Sequence, residues 1–205
     1  PGIVLLSSDD LLHWKHAKIN LSKDYPKHFG DAYWVWAPQT IYDRKAKKYM
    51  IYFTLQRNDR KSLITYYAYA NKDFTGFESE PKQLFSAKYG SIDNDIIEKD
   101  GTYHLFYKGN TKDENGKEIK NGIQQATSKS LKGKWKEDFK YLDAYAGKTP
   151  VEGSSIFKLN GKDEYVLMYD MYTSGRYEYQ TSTDLYHFVH QGLFPAPRFR
   201  HFTDP

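Results

Sequence analysis

SDDLLHW, residues 8–14, returns three times along the chain. It reads NKDFTGF at 71–77, STDLYHF at 182–188 and, with one residue more, SKSLKGKW at 128–135. Leu11, Phe74, Leu131 and Leu185 hold the equivalent position, with successive separations of 63, 57 and 54 residues. A period in that range is the mark of a repeat architecture. Each copy follows a run that reads as a strand: GIVLLSS, ITYYAYA, GIQQATS and RYEYQTS. Ser, Asn and Asp at the head of the phrase favour a turn closed by side-chain-to-backbone hydrogen bonds. The Leu or Phe and the aromatic residue after it are expected to pack between repeats.

A second phrase precedes three of those runs, as KKYMIYF, GTYHLFY and DEYVLMY. Before each lies another short strand and a turn, in QTIYDRKAKK, DIIEKDGT and SIFKLNGKDE. Asp100-Gly101 and Asn160-Gly161 are strong hairpin signals. One unit therefore reads strand, hairpin, strand, loop, strand, turn phrase and strand. Four antiparallel strands repeating at this spacing describe a blade of a β-propeller. A sandwich would give no reason for the phrase to return in phase.

The fold class is thus all-β, and the chain reads as an incomplete part of a propeller. The first unit opens at its third strand. The expected division is the end of blade one at 1–34, blade two at 35–90, blade three at 91–149, blade four at 150–192 and the start of a fifth at 193–205. Open blade edges present unpaired backbone groups, so self-association through them is expected.

Composition narrows the function. The chain has 205 residues, 19 Tyr and 12 Phe, a formal net charge of +4 and no cysteine. Aromatic enrichment favours strands. The basic residues are interleaved with acidic ones, KAKK at 45–48 being the densest cluster, so no nucleic-acid partner is expected. No apolar run approaches the roughly 18 residues of a membrane span. Thiolate metal sites and disulfides are excluded, and neither a dedicated metal-ligand spacing nor a glycine-rich phosphate loop is present.

In a propeller the innermost strands line a central channel, and residues at their mouths converge. Here the mouths read VWAPQTIY (35–42), SIDNDII (91–97) and VEGSSIF (151–157). They offer Trp36, Asp93 and Glu152. Two carboxylates and an aromatic platform suit glycoside hydrolysis. By spacing alone, Asp93 as a turn cap and Glu152 as a solvated rim residue is the plainer reading. Asp95 shares a strand face with Asp93 if period two holds, making it the alternative to Asp93. Arg176, in SGRYEY, is a candidate for holding a sugar hydroxyl.

The ordered set of WAP before KYMIYF, then IDNDII with its Asp-Gly hairpin, then VEGSSIFK with its Asn-Gly hairpin, resembles glycoside hydrolase family 43 through almost the whole chain. That resemblance implies a five-bladed propeller that cleaves arabinofuranosyl, xylosyl or galactofuranosyl linkages in polysaccharides with inversion. It implies Glu152 as general acid, Asp93 as the residue that modulates and orients it, and Trp36 as a wall of the sugar subsite. The family's general base belongs to a first-blade inner strand that this sequence does not include. Asp204, in the terminal TDP, resembles the base motif but stands at the wrong end of the order. His201 is followed by Phe202, which departs from the family's late Arg-His-Gly segment. No cofactor is expected, although the resemblance allows a calcium ion on the channel axis of the complete propeller. A polysaccharide substrate points to a secreted or periplasmic protein. A non-catalytic carbohydrate-binding propeller is the alternative.

Overall fold

The computed structural model describes residues 1–61, 63–112, 118–138, 140, 142 and 150–194. They form three four-stranded antiparallel sheets and one two-stranded sheet. The first sheet pairs β1 (Gly2–Ser7) with β2 (Lys15–Asn20). The second runs β3 (Ala32–Asp43), β4 (Lys48–Arg57), β5 (Leu63–Tyr69) and β6 (Lys82–Phe85). The third runs β7 (Ser91–Lys99), β8 (Thr102–Lys112), β9 (Glu118–Ser128) and β10 (Lys136–Asp138). The fourth runs β11 (Glu152–Lys158), β12 (Tyr165–Met171), β13 (Arg176–Ser182) and β14 (Val189–Leu193).

In each four-stranded sheet the spatial order is the chain order. The first strands of successive sheets are neighbours, β7 packing against β3 on one side and β11 on the other. This is the radial arrangement of propeller blades, with β3, β7 and β11 innermost. β1 and β2 stand where the third and fourth strands of a blade belong, because the turn phrase joins them as it joins β5 to β6, β9 to β10 and β13 to β14.

Three apolar clusters lie between adjacent sheets. Ile3, Leu5 and Ile19 meet Ile51, Phe53 and Leu55. Met50 and Tyr52 meet Ile96, Leu105 and Tyr107. Phe106 and Ile123 meet Ile156, Leu167 and Tyr169. Adjacent residues of β4 thus feed opposite clusters, as period two requires of a strand buried on both faces.

The turn phrase works through its first polar residue. Ser182 Oγ accepts the Leu185 N–H at 2.9 Å, and Ser8 Oγ accepts the Leu11 N–H at 2.8 Å. Asp184 and Asp10 cap the next two N–H groups and bind the Nδ1 of His187 and His13. Leu11, Phe74 and Leu185 all take left-handed backbone, at φ 62°, 56° and 64°. Leu131, in the copy that is one residue longer, does not. Leu185 and Leu131 are buried, but Leu11 is 75% exposed and Trp14 half exposed. The first copy keeps the turn without the packing that its equivalents share.

Two short helices, α1 (Leu21–Asp24) and α2 (Pro26–Phe29), join β2 to β3. Asn20 Oδ1 accepts the Lys23 N–H while Asp24 Oδ2 accepts the Asn20 N–H, a reciprocal cap. Pro26 opens the second helix, where its missing N–H costs nothing. Leu21 and Phe29 anchor the pair in the first core. Among the described residues no helix is long and apolar enough to cross a membrane.

Candidate active site

Each innermost strand carries a bulge near its start. Pairing slips between Trp36 and Gln39 in β3, between Ile92 and Asp95 in β7, and between Glu152 and Ser155 in β11. The residue after the slip point takes left-handed backbone in all three strands: Ala37 at φ 47°, Asp93 at 56° and Gly153 at 65°. Bulges bend a strand and re-aim its side chains. Trp36, Ile92 and Glu152 therefore stand at one level of the channel mouth. Their cross-strand partners are Thr54, Lys108 and Asp170.

The two expected carboxylates come together, one residue out of register. Asp93 Oδ2 accepts the N–H of Gly153, the residue after Glu152, at 2.9 Å. The Ser154 hydroxyl donates to the Asp93 carbonyl at 2.6 Å. Asp93 is thus clamped to the opening of β11. Burial pushes its carboxyl above the ordinary carboxylate range; the Gly153 N–H and Lys108 pull it down, and the charges of Glu152 and Asp170 push it further up.

Glu152 Oε2 pairs with Lys108 Nζ at 2.8 Å, and the lysine side chain is only 16% exposed. The same ammonium lies 5.1 Å from the centre of the Tyr172 ring. Asp170 faces Glu152 directly across β11 and β12. Burial, then the Glu152 charge, raises its carboxyl. Lys108 and Asp170 were not anticipated from the sequence. Their signal lies in the repeat, since Thr54, Lys108 and Asp170 each follow the tyrosine of the second phrase (Tyr49, Tyr103, Tyr165) by five residues.

Asp95 does not share the face of Asp93. The extra residue in the bulge shifts parity, so Ile92 and Asp95 oppose Lys108 and Phe106, two residues on one face of β8. The Asp95 carboxylate is spent on the seams between blades. Its Oδ2 accepts the Ile156 N–H from β11 at 2.8 Å, and its Oδ1 accepts the Tyr52 hydroxyl from β4 at 3.3 Å and its neighbour Ile96 N–H at 3.0 Å. Burial pushes its pKa up to about 6, against the pull of these donors. Asp95, expected on the face of Asp93, instead joins three blades. Nearby, Asn94 donates to the Thr54 hydroxyl at 3.1 Å and closes the floor between β4 and β7.

Trp36 is half-buried at the mouth, stacked on Trp34 with ring centres 5.6 Å apart and planes 14° from parallel. Arg176 is exposed at the start of β13, on the hairpin that rises beside Asp170. Asp204 and His201 lie outside the described residues. So Trp36, Asp93, Glu152 and, at the rim, Arg176 occupy one end of the channel. Among the described residues no group of three or more His, Asp or Glu side chains is placed to share an ion.

A family model described as a probable glycosyl hydrolase domain, related to glycoside hydrolase family 43, matches residues 1–201. Among solved structures, the GH43_1 enzyme from Xanthomonas citri complexed with xylotriose is similar over 94% of this chain and 65% of its own, with TM-score 0.68 and 19% identity. The endo-arabinase from Bacteroides thetaiotaomicron VPI-5482 matches over 93% and 70%, with TM-score 0.53 and 16% identity. A family 117 glycoside hydrolase from Zobellia galactanivorans matches over 94% and 55%, with TM-score 0.65 and 17% identity. At these identities the likeness is one of fold. The chain spans 65% of the length of the xylotriose-bound enzyme. No curated protein sequence gives a significant match.

Proposed function

Because the chain belongs to the family of probable glycosyl hydrolase domains related to glycoside hydrolase family 43, we propose that it carries the acid half of a glycosidase active site. The substrates are polysaccharide side chains joined through arabinofuranosyl, xylosyl or galactofuranosyl linkages. Glu152 donates a proton to the leaving oxygen, Asp93 positions it, and Trp36 supports the sugar ring. The general base comes from outside the described residues. It activates water on the opposite face of the sugar, with the two carboxyl groups roughly 6.5–9.5 Å apart as inversion requires. A polysaccharide substrate places the protein outside the cytoplasm.

The observation that carries this reading is the hydrogen bond from Gly153 N–H to Asp93. It fixes a carboxylate of one blade against the peptide next to a carboxyl group of the following blade. Gly153 takes the left-handed backbone that turns this N–H toward Asp93 at less cost than a residue with a Cβ. In the free site Lys108 neutralises Glu152. Proton donation requires that pair to open, and the Tyr172 ring offers the ammonium a second resting place.

A second reading, a carbohydrate-binding propeller without chemistry, is favoured by the same ion pair. A carboxylate that never donates a proton would be kept in this way. The test is NMR of the first sugar released from β-xylosides and α-arabinofuranosides by the protein that carries this chain in its complete propeller. Release of the opposite anomer supports the first reading. Release with retention refutes it, and binding without release favours the second.

A further inference from the structure

Trp34 is 47% exposed, yet it is fixed on several sides. It stacks on Trp36, and Tyr33 meets it edge-on at 5.1 Å. Tyr33 is itself held by Arg60, whose guanidinium lies 4.2 Å from the ring centre and donates to the hydroxyl at 2.6 Å. The Arg60 carbonyl accepts from the side chain of Gln56, the cross-strand partner of Trp34. An exposed indole normally gains little from being immobilised. Here it is built in as an apolar plane, with Gln56 across the strand and Arg60 one ring away on Tyr33.

Its position gives the plane a direction. Trp36 stands level with Glu152 at the bulge, and Trp34 is two residues nearer the open end of the same strand. At about 3.3 Å per residue that is roughly 6.6 Å further out. Both indoles lie on the sheet face that carries Thr54 and Gln56 of β4, because Val35 and Leu55 turn the other way into the first core.

Resting on the sugar-binding reading above, we infer that Trp34 forms an outer subsite that stacks a second sugar unit of a neutral oligosaccharide, so that the site selects chains over single sugars. The aromatic plane covers the apolar face of the ring, and Arg60 and Gln56 supply hydrogen-bond donors at its edge.

Isothermal titration of the protein that carries this chain in its complete propeller, with Glu152→Gln in every variant to stop turnover, tests this, with xylotriose, arabinotriose and β-1,3-galactotriose as probes and xylose, arabinose and galactose as their single-sugar controls. Trp34→Ala is expected to weaken the best-bound trisaccharide about tenfold, equivalent to about 1.4 kcal/mol, and to leave the matching monosaccharide within about twofold. Trp34→Phe, which keeps a plane, should retain most of the affinity. Trp36→Ala should weaken both ligands. An unchanged trisaccharide affinity in Trp34→Ala, alongside a loss in Trp36→Ala, overturns the outer subsite alone. No loss in Trp36→Ala, or no binding of any probe with both tryptophans in place, overturns the sugar-binding reading and the subsite with it. Circular dichroism of each variant separates loss of binding from loss of fold.

Discussion

Replacing Asp95 by Asn should flatten the pH dependence of stability. Asp95 is the carboxylate that joins β4, β7 and β11, and burial raises its pKa from 3.8 to about 6. Between those values the folded protein holds a proton that the unfolded chain releases. The contribution is fully present below the unfolded value and is lost as pH rises through the folded one. At about 1.4 kcal/mol per pH unit, a gap of about 2 units is worth about 3 kcal/mol. Some 2.5 kcal/mol of that falls between about pH 4 and about pH 8. Asn keeps one carbonyl oxygen, enough for one or two of the three donors, and cannot titrate. Urea unfolding followed by tryptophan fluorescence gives the stability of each protein at each pH. Asp93 and Asp170 are also raised, but they are present in both proteins and cancel in the comparison. The wild type should lose about 2.5 kcal/mol more than Asp95→Asn over that interval. Parallel pH profiles would refute the argument that this carboxylate is held at a cost in the seam.

Two further substitutions probe the repeat and the bulge. Leu185→Ala should cost about 2–5 kcal/mol, because Leu185 is fully buried. Leu11→Ala, at the equivalent but exposed position, should stay within about 0.5 kcal/mol, and equal losses in urea unfolding would mean that the turn rather than the packing holds the phrase in place. Gly153→Ala should cost about 1–2 kcal/mol through its left-handed backbone, and an unchanged unfolding midpoint would mean that the bulge adjusts without strain.

The repeat was legible because it rests on local chemistry. Ser and Asp build the turn phrase within a few residues, and the Asp100-Gly101 hairpin needs only the two left-handed residues it contains, at φ 51° and 73°. Strand order followed from the phase of those signals. Glu152 and Asp93 were legible as carboxylates opening inner strands. The bulges were not, because an extra residue leaves the composition of a strand unchanged while reversing the parity beyond it. That is why Asp95 looked like a neighbour of Asp93 and is instead a seam residue. Lys108 reaches Glu152 across 44 positions of sequence, through a pairing of sheets that no local pattern encodes. The reciprocal cap between Asn20 and Asp24 was readable in NLSKD, but a four-residue helix carries too little periodicity to stand out.

The most direct test of the central claim is the leaving-group dependence of Glu152→Gln in the protein that carries this chain within its complete propeller. A general acid matters most where the departing oxygen needs a proton. The variant should lose about 10²- to 10⁴-fold in turnover of unactivated disaccharides such as xylobiose or arabinobiose. It should lose far less on dinitrophenyl glycosides, whose leaving group departs unprotonated. Equal losses on the two substrate types, or full activity on both, would contradict the assignment of Glu152 as the proton donor.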